Sequence, residues 1–457
     1  MLSKDILLDK VRSGAPLAGR EQVHLASVLS YPAILAQLSI VLMQYIDTSM
    51  VGHLGSAAGA SIGLVAACLW LFGGFLMMAS SGFSVQVAHL IGAGRADRAK
   101  AVLKQGLFSG FIFSLLLGGV GIAISGPLPY WLGGTPEIVE DAGIYFLINS
   151  AFIPAMMMDW MSASMLQCSG NMKVPSILSI MMCVLDVCFN YIFIYVLGMG
   201  VKGAAIGTGC AEVVTGAAMT LFLIFGSKEL RLKGSGVPFK LERTVLGKAA
   251  RIGMPMCLEN IVMRGAYVIS TVIVAPLGTI AIAANAFAIT AESFCYMPGY
   301  GIADAATTLV GQSLGAGRKE LARRFGWITS GGGMGIMALL SVVMFFTAPQ
   351  LMAMLSPDPE VIALGSTVLR IECFAEAMYG ASIVAYGACV GAGDTLVPSI
   401  MNFTSMWIVR ILPAAFLTPR YGLVGFWIAM AVELNFRGII FLIRLRGHRW
   451  LSKPVAQ

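Results

Sequence analysis

Residues 28–52 read VLSYPAILAQLSIVLMQYIDTSMVG, an apolar run interrupted by one proline, Pro32, and one acidic residue, Asp47. As a helix rising about 1.5 Å per residue, it is long enough to cross roughly 30 Å of hydrocarbon. Comparable runs follow along the whole chain of 457 residues, at 60–91, 104–126, 138–167, 175–198, 203–226, 252–275, 280–313, 325–348, 360–390, 396–418 and 423–445. They are continuously apolar and rich in Leu, Ala, Met and Gly, whereas barrel strands alternate in polarity every residue. With 58% hydrophobic and 12% charged residues, the composition is that of a chain solvated by lipid. The expected fold is an all-α polytopic membrane protein with twelve transmembrane helices. The longer runs imply tilt or extension beyond the membrane. Residues 1–26 are polar and the first apolar run is of spanning length, so no cleavable signal peptide is expected.

Charge sets the orientation. If the N-terminus is cytoplasmic, most of the 30 Lys and Arg residues fall in internal segments, against Lys202 and Arg420 outside. The positive-inside rule then predicts that both termini are cytoplasmic; the expected setting is the inner membrane of a bacterium. The segment 227–251 carries Lys228, Arg231, Lys233, Lys240, Arg243, Lys248 and Arg251 and reads as a basic linker. These bases adjoin membrane helices, so anionic headgroups are their nearer partner and no nucleic acid is expected. Nine scattered cysteines without a C-x-x-C pair, and four histidines without ligand spacing (His24, His53, His89, His448), support neither a disulfide framework nor a bound metal cofactor.

An internal repeat organises the chain. A displacement of 223 residues brings Pro32 onto Pro255, Gly55 onto Gly278, GAGR at 92–95 onto GAGR at 315–318, and VPS at 174–176 onto VPS at 397–399. One constant interval across separated landmarks marks a duplication. After a one-residue gap, Gly203 pairs with Gly425. Each half holds six crossings, an even number, so the two six-helix lobes are expected to be related by a pseudo-two-fold axis along the membrane normal. The expected division is a cytoplasmic N-terminal segment (1–26), an N-lobe (27–226), a basic linker (227–251), a C-lobe (252–446) and a cytoplasmic tail (447–457). The GAGR turns lack a preceding strand and a following Lys-Ser or Lys-Thr, so they are not phosphate loops and ATP-driven transport is not expected.

Carboxyls inside the spans are the strongest pointer to a site. An ionised group at the bilayer centre costs about 2.5–3.5 kcal/mol, so Asp47, Asp159, Asp186, Glu212, Glu259, Glu292, Asp304, Glu372, Glu376 and Glu433 must face protein or water. Glu433 with Arg410 and Arg437 reads as a structural network, and Arg370 with Glu372 as an outward, snorkelling pair. Asp47 has no basic neighbour in sequence. Asp186 and Asn190 are four apart on one helical face, and Thr208 falls at a similar depth. Together these oxygens could hold Na+, or a desolvated carboxyl that takes up H+; helix-packing hydrogen bonds are the structural alternative. Met156, Met157, Met158, Met161 and Met165 cluster on one span and, beyond apolar filling, suit a cavity for varied ligands. Phe152, Tyr296 and Tyr386 could stack on a cation.

Over nearly its whole length the sequence resembles the multidrug and toxic compound extrusion (MATE) family. The resemblance is carried by YPAILAQLSIVLMQYIDTSMVGHLG at 31–55, LGMGVKGAAIGT at 197–208, MPGYGIADAATTLVGQSLGAGR at 297–318 and GACVGAGDTLVP at 387–398. It implies an exporter of small organic, often cationic or amphipathic compounds, driven by H+ or Na+ entry and working in the bilayer as a monomer without a cofactor. In that family's pattern Asp47 and Thr208 stand at ion-coupling positions and Pro32 at the helix-bending one. The fifth span departs from the usual order, with Asp186 before Asn190. The second-lobe acidic positions hold Met263 and Tyr379, with Glu259 and Glu376 about one turn away. A C-lobe site using Glu259, Glu292, Asp304 and Glu376 is therefore a further expectation. Two rivals stand beside efflux: a flippase for lipid-linked intermediates, and an intramembrane enzyme using carboxyls such as Asp159 and Asp186.

Overall fold

The computed structural model describes residues 3–451, and these are helical with short connections. The helices are α1 (Lys4–Ser13), α2 (Gly19–Gly52), α3 (Ser56–Gly92), α4 (Ala96–Ile124), α5 (Leu128–Trp131), α6 (Val139–Cys168), α7 (Lys173–Tyr191) and α8 (Gly200–Leu221). The second half supplies α9 (Arg243–Val274), α10 (Thr279–Gly315), α11 (Lys319–Leu355), α12 (Pro359–Glu372), α13 (Glu376–Gly391), α14 (Leu396–Thr404) and α15 (Leu412–Arg446). Among the described residues, ten helical stretches are long and apolar enough to cross a membrane. One of them, Leu396–Arg446, carries two expected spans and turns at Gly422, whose φ of 62° breaks the helix. The expected span 360–390 is divided between α12 and α13. At the division Ala375 N–H bonds Glu372 O at 2.7 Å and Phe374 N–H bonds Ile371 O at 3.3 Å, a tightening to i→i+3 bonds.

The duplication is visible in the backbone. Gly55 and Gly278 precede α3 and α10 with φ of 110° and 92°, where a side chain would be strained. The third residue of each GAGR turn, Gly94 and Gly317, has φ of 71° and 76°. Pro32 and Pro255 both lie inside long helices, α2 and α9. Each removes one backbone N–H from its helix, which leaves the carbonyl four residues earlier without its usual donor.

By packing the chain divides into two units, one comprising the residues through Leu38 and the chain from Leu258, the other Ser39–Cys257. The boundaries fall inside α2 and α9. In the first unit, a Cβ on Gly301 of α10 would stand 2.6 Å from the Ile34 nitrogen, so the first half of α2 lies on α10 backbone to backbone. In the second, a Cβ on Gly82 of α3 would stand 2.5 Å from the Ala249 carbonyl oxygen, which fixes the first half of α9 on α3. Small residues permit such approach where no hydrophobic force draws helices together in lipid.

Two segments read only as polar are ordered. Helix α1 buries Leu7, Leu8 and Val11; Arg318 Nη1 of the second GAGR turn donates to Lys10 O at 3.0 Å, and Lys10 Nζ pairs with Glu21 at 2.7 Å. Helix α9 begins at Arg243, inside the basic linker, and residues before it are tied to α4 by Lys104 Nζ to Val237 O at 2.6 Å.

The core of the second unit gathers Phe72, Leu76, Phe146, Met157, Met161 and Met165. Those methionines fill the space left by glycines on α4: Cβ positions on Gly106 and Gly110 would stand 3.0 Å from Met165 Cε and 2.7 Å from Met157 Cε. Three of the five clustered methionines are thus core filling rather than cavity lining.

Candidate functional site

Helix α8 approaches α7 because Gly203 and Gly207, four residues apart, turn the same face to it. A Cβ on Gly203 would stand 2.7 Å from the Phe193 carbonyl, and one on Gly207 would stand 2.9 Å from the Asn190 nitrogen. GAAIG at 203–207 is the small-xxx-small pattern that brings helices together in a bilayer, a signal legible in the sequence. Replacing Gly207 with Ala is expected to push α8 off α7 and cost about 1–3 kcal/mol, the usual penalty for overpacking. A lowered melting midpoint in detergent checks this.

The contact places Thr208 against the Asp186 carboxyl, with Asp47 of α2 beside it. Asn190 joins the group: its Nδ2 donates to Asp47 Oδ1 at 3.0 Å and to Asp186 Oδ2 at 3.1 Å. Asp186 and Asn190 are 0% and 2% exposed, while Asp47 is half-buried. One amide therefore spends both hydrogens on two carboxyls. Asp186 Oδ1 and Asn190 Oδ1 remain buried without a hydrogen-bond partner. Buried oxygens of this kind normally find a donor or a cation, and two neighbouring carboxyls gain from a positive charge between them. A proton or a monovalent cation fits that need. Beside this turn of α2, an open hollow of about 580 Å³ is lined by Tyr45, Ile46, Ser49, Met50, His53, Tyr191 and Tyr195.

The four carboxyls expected to form a C-lobe site do not form one. Glu259 of α9 accepts from Tyr386 at 2.8 Å, Ser399 at 2.7 Å and Asn402 at 2.5 Å, all on α13 and α14. Its carboxylate is saturated with donors, and Tyr386, considered for stacking on cargo, is committed to it. Asp304 lies twelve residues beyond Glu292 on α10, about 18 Å along the helix axis. Glu292 and Glu376 do share a neighbourhood, and Glu372, expected to snorkel, completes it. Glu372 and Glu376 are 0% exposed, Glu292 is 5% exposed, and all four oxygens of Glu372 and Glu376 lack hydrogen-bond partners. The break between α12 and α13 turns both carboxyls inward, a feature no periodicity announces. Beside them Arg410 and Arg437 pair with Glu433 at 2.7 Å and 2.6 Å, the structural network expected from the sequence.

A family profile described as MatE matches residues 32–192 and 255–416, the two halves of the repeat. The chain is 28% identical over 440 residues to a probable multidrug resistance protein NorM of Thermotoga maritima, covering 93% of each. Among solved structures it is similar to the Vibrio cholerae MATE transporter VcmN in the bent form, with a TM-score of 0.84 at 20% identity, over 96% of this chain and 97% of that one. It is also similar to a MOP superfamily transporter from Pyrococcus furiosus, described as having a binding pocket whose reverse polarity suggests a different function. That match has a TM-score of 0.88 at 19% identity, again over 96% and 97%. At these identities the structural likenesses concern the fold alone.

Proposed function

The chain belongs to the MatE family, and on that premise we propose that it exports small organic molecules, cationic or amphipathic, in exchange for an inward-moving H+ or Na+. The observation that carries the reading is the Asp47–Asn190–Asp186 constellation. Its two carboxyls are bridged by one amide, with Thr208 alongside and, among the described residues, no basic partner. The names of relatives, probable multidrug resistance proteins, support the cargo class. An ion entering from the outer side binds these oxygens and favours one state of an alternating-access cycle between two lobes, while cargo favours the other. A ligand shifts such an equilibrium only by its differential affinity, so ion and cargo must each weaken the other's binding. Helix α2 carries both Pro32 and Asp47, so a bend at the proline would move the carboxyl. Glu292, Glu372 and Glu376 offer a second group able to take up an ion.

Efflux of ethidium from proteoliposomes with pH and sodium gradients imposed separately tests the reading. Export is expected with one gradient and not with neither. Export indifferent to both would refute ion coupling.

A further inference from the structure

Two carboxyls of the same unit are left over. Along α8, residues 208, 212, 216 and 220 form one stripe, each about 6 Å beyond the last. Thr208 meets Asp186, as described. Glu212, one turn on, is 8% exposed, and its Oε2 is buried without a hydrogen-bond partner. At the next turn a Cβ on Gly216 would stand 3.2 Å from Asp159 Cβ and 3.0 Å from the Ala155 carbonyl oxygen, so α6 presents Asp159 against this gap. Asp159 Oδ1 is likewise buried and unpartnered. One turn further, Thr220 Oγ1 and Ser162 Oγ lie 3.0 Å apart. Glu212 lies within Coulombic range of both Asp159 and Asp186.

We propose that this stripe is a proton path, in which Glu212 and Asp159 carry protons between the Asp47–Asp186 pair and the cytoplasmic end of α8. The inference rests on the ion-coupled reading above and commits that reading to H+. In each step a carboxylic acid gives up its proton, becoming a carboxylate, and the next carboxylate receives it; no other bond changes. With successive members of the stripe about 6 Å apart along the α8 axis, one or two bridging waters would link one carboxyl to the next. The other titratable groups facing the stripe are Cys183 of α7, near Asp186, Asp47 and Glu212, and Tyr145 of α6, near Asp47 and Asp186. Among the described residues no Lys, Arg or His forms an ion pair with any of the four carboxyls, so nothing pins them in the ionised state.

The full chain in liposomes containing pyranine, with ethidium as cargo probe, reads proton entry and export together. Glu212→Gln and Asp159→Asn should each slow ethidium-dependent proton entry by about a hundredfold, the low end of what a positioned proton-transfer group contributes. Counterflow of ethidium at equal pH should survive in both, which separates a lost path from a misfolded protein, and Glu212→Asp should recover much of the rate. Wild-type proton entry in both variants, with Asp47→Asn still uncoupled, would overturn the path and leave the coupling site standing. Full coupling in Asp47→Asn would overturn the coupling site itself. Export driven by sodium and indifferent to pH would also overturn the path.

Discussion

Asp47→Asn is expected to abolish most gradient-driven export while leaving the fold intact. The substitution keeps the shape of the side chain and, with the amide oxygen toward Asn190 Nδ2, the 3.0 Å hydrogen bond can persist. What disappears is one of two ionisable carboxyls bridged by a single amide. A neutral group at position 47 leaves Asp186 alone to attract the ion, and the energetic link between ion and cargo falls with it. Coupling free energies between sites are typically about 1–3 kcal/mol, or about 5–150-fold in affinity, and the loss of the ion's effect on cargo affinity should fall in that window. Cargo affinity measured without a gradient should become insensitive to pH and to sodium. Asn190→Leu would instead leave two neighbouring carboxyls unbridged and should lower the melting midpoint as well as coupling. If Asp47→Asn proteoliposomes export as fast as wild type under each gradient, the engine lies elsewhere.

Glu433→Gln should produce the largest loss of stability of any single change considered. Glu433 is 0% exposed and receives Arg410 through Nε at 2.9 Å, Arg437 through Nε at 2.6 Å and Ser405 Oγ at 2.6 Å. These contacts clamp the stretch before α15 to the middle of α15. Removing the carboxylate leaves two buried guanidinium groups facing a neutral amide, and breaking a buried pair from one side costs about 3–5 kcal/mol. An apolar triple replacement, Arg410→Met with Glu433→Leu and Arg437→Met, removes all three charges and should recover much of that loss, because buried ion networks are often no more stable than apolar packing. Thermal unfolding in detergent distinguishes the two variants; equal midpoints for Glu433→Gln and wild type would mean that the network carries no stability.

Several features of the site were legible along the chain. The spacing of Asp186 and Asn190 put both on one face, and the polar residues in apolar spans marked themselves by their cost. The C-terminal carboxyls were not legible in the same way. Glu259 and Glu376 look alike in sequence, each an acidic residue inside a largely apolar span. One is saturated by three donors from other helices, while the other stands unpartnered beside Glu372. Nor did the methionine cluster reveal that Met157, Met161 and Met165 fill the gaps left by glycines on a neighbouring helix.

By itself the sequence determined that the chain is a duplicated set of apolar helices crossing a membrane, because hydrocarbon leaves the backbone almost no other way to satisfy its polar groups. Which carboxyls meet, and which are neutralised by donors, only the tertiary structure decided. Helix periodicity fixes the face of one helix, but partners on different helices are chosen by how closely the helices pack. Here that depends on glycines at 82, 203, 207 and 301 admitting backbone against backbone.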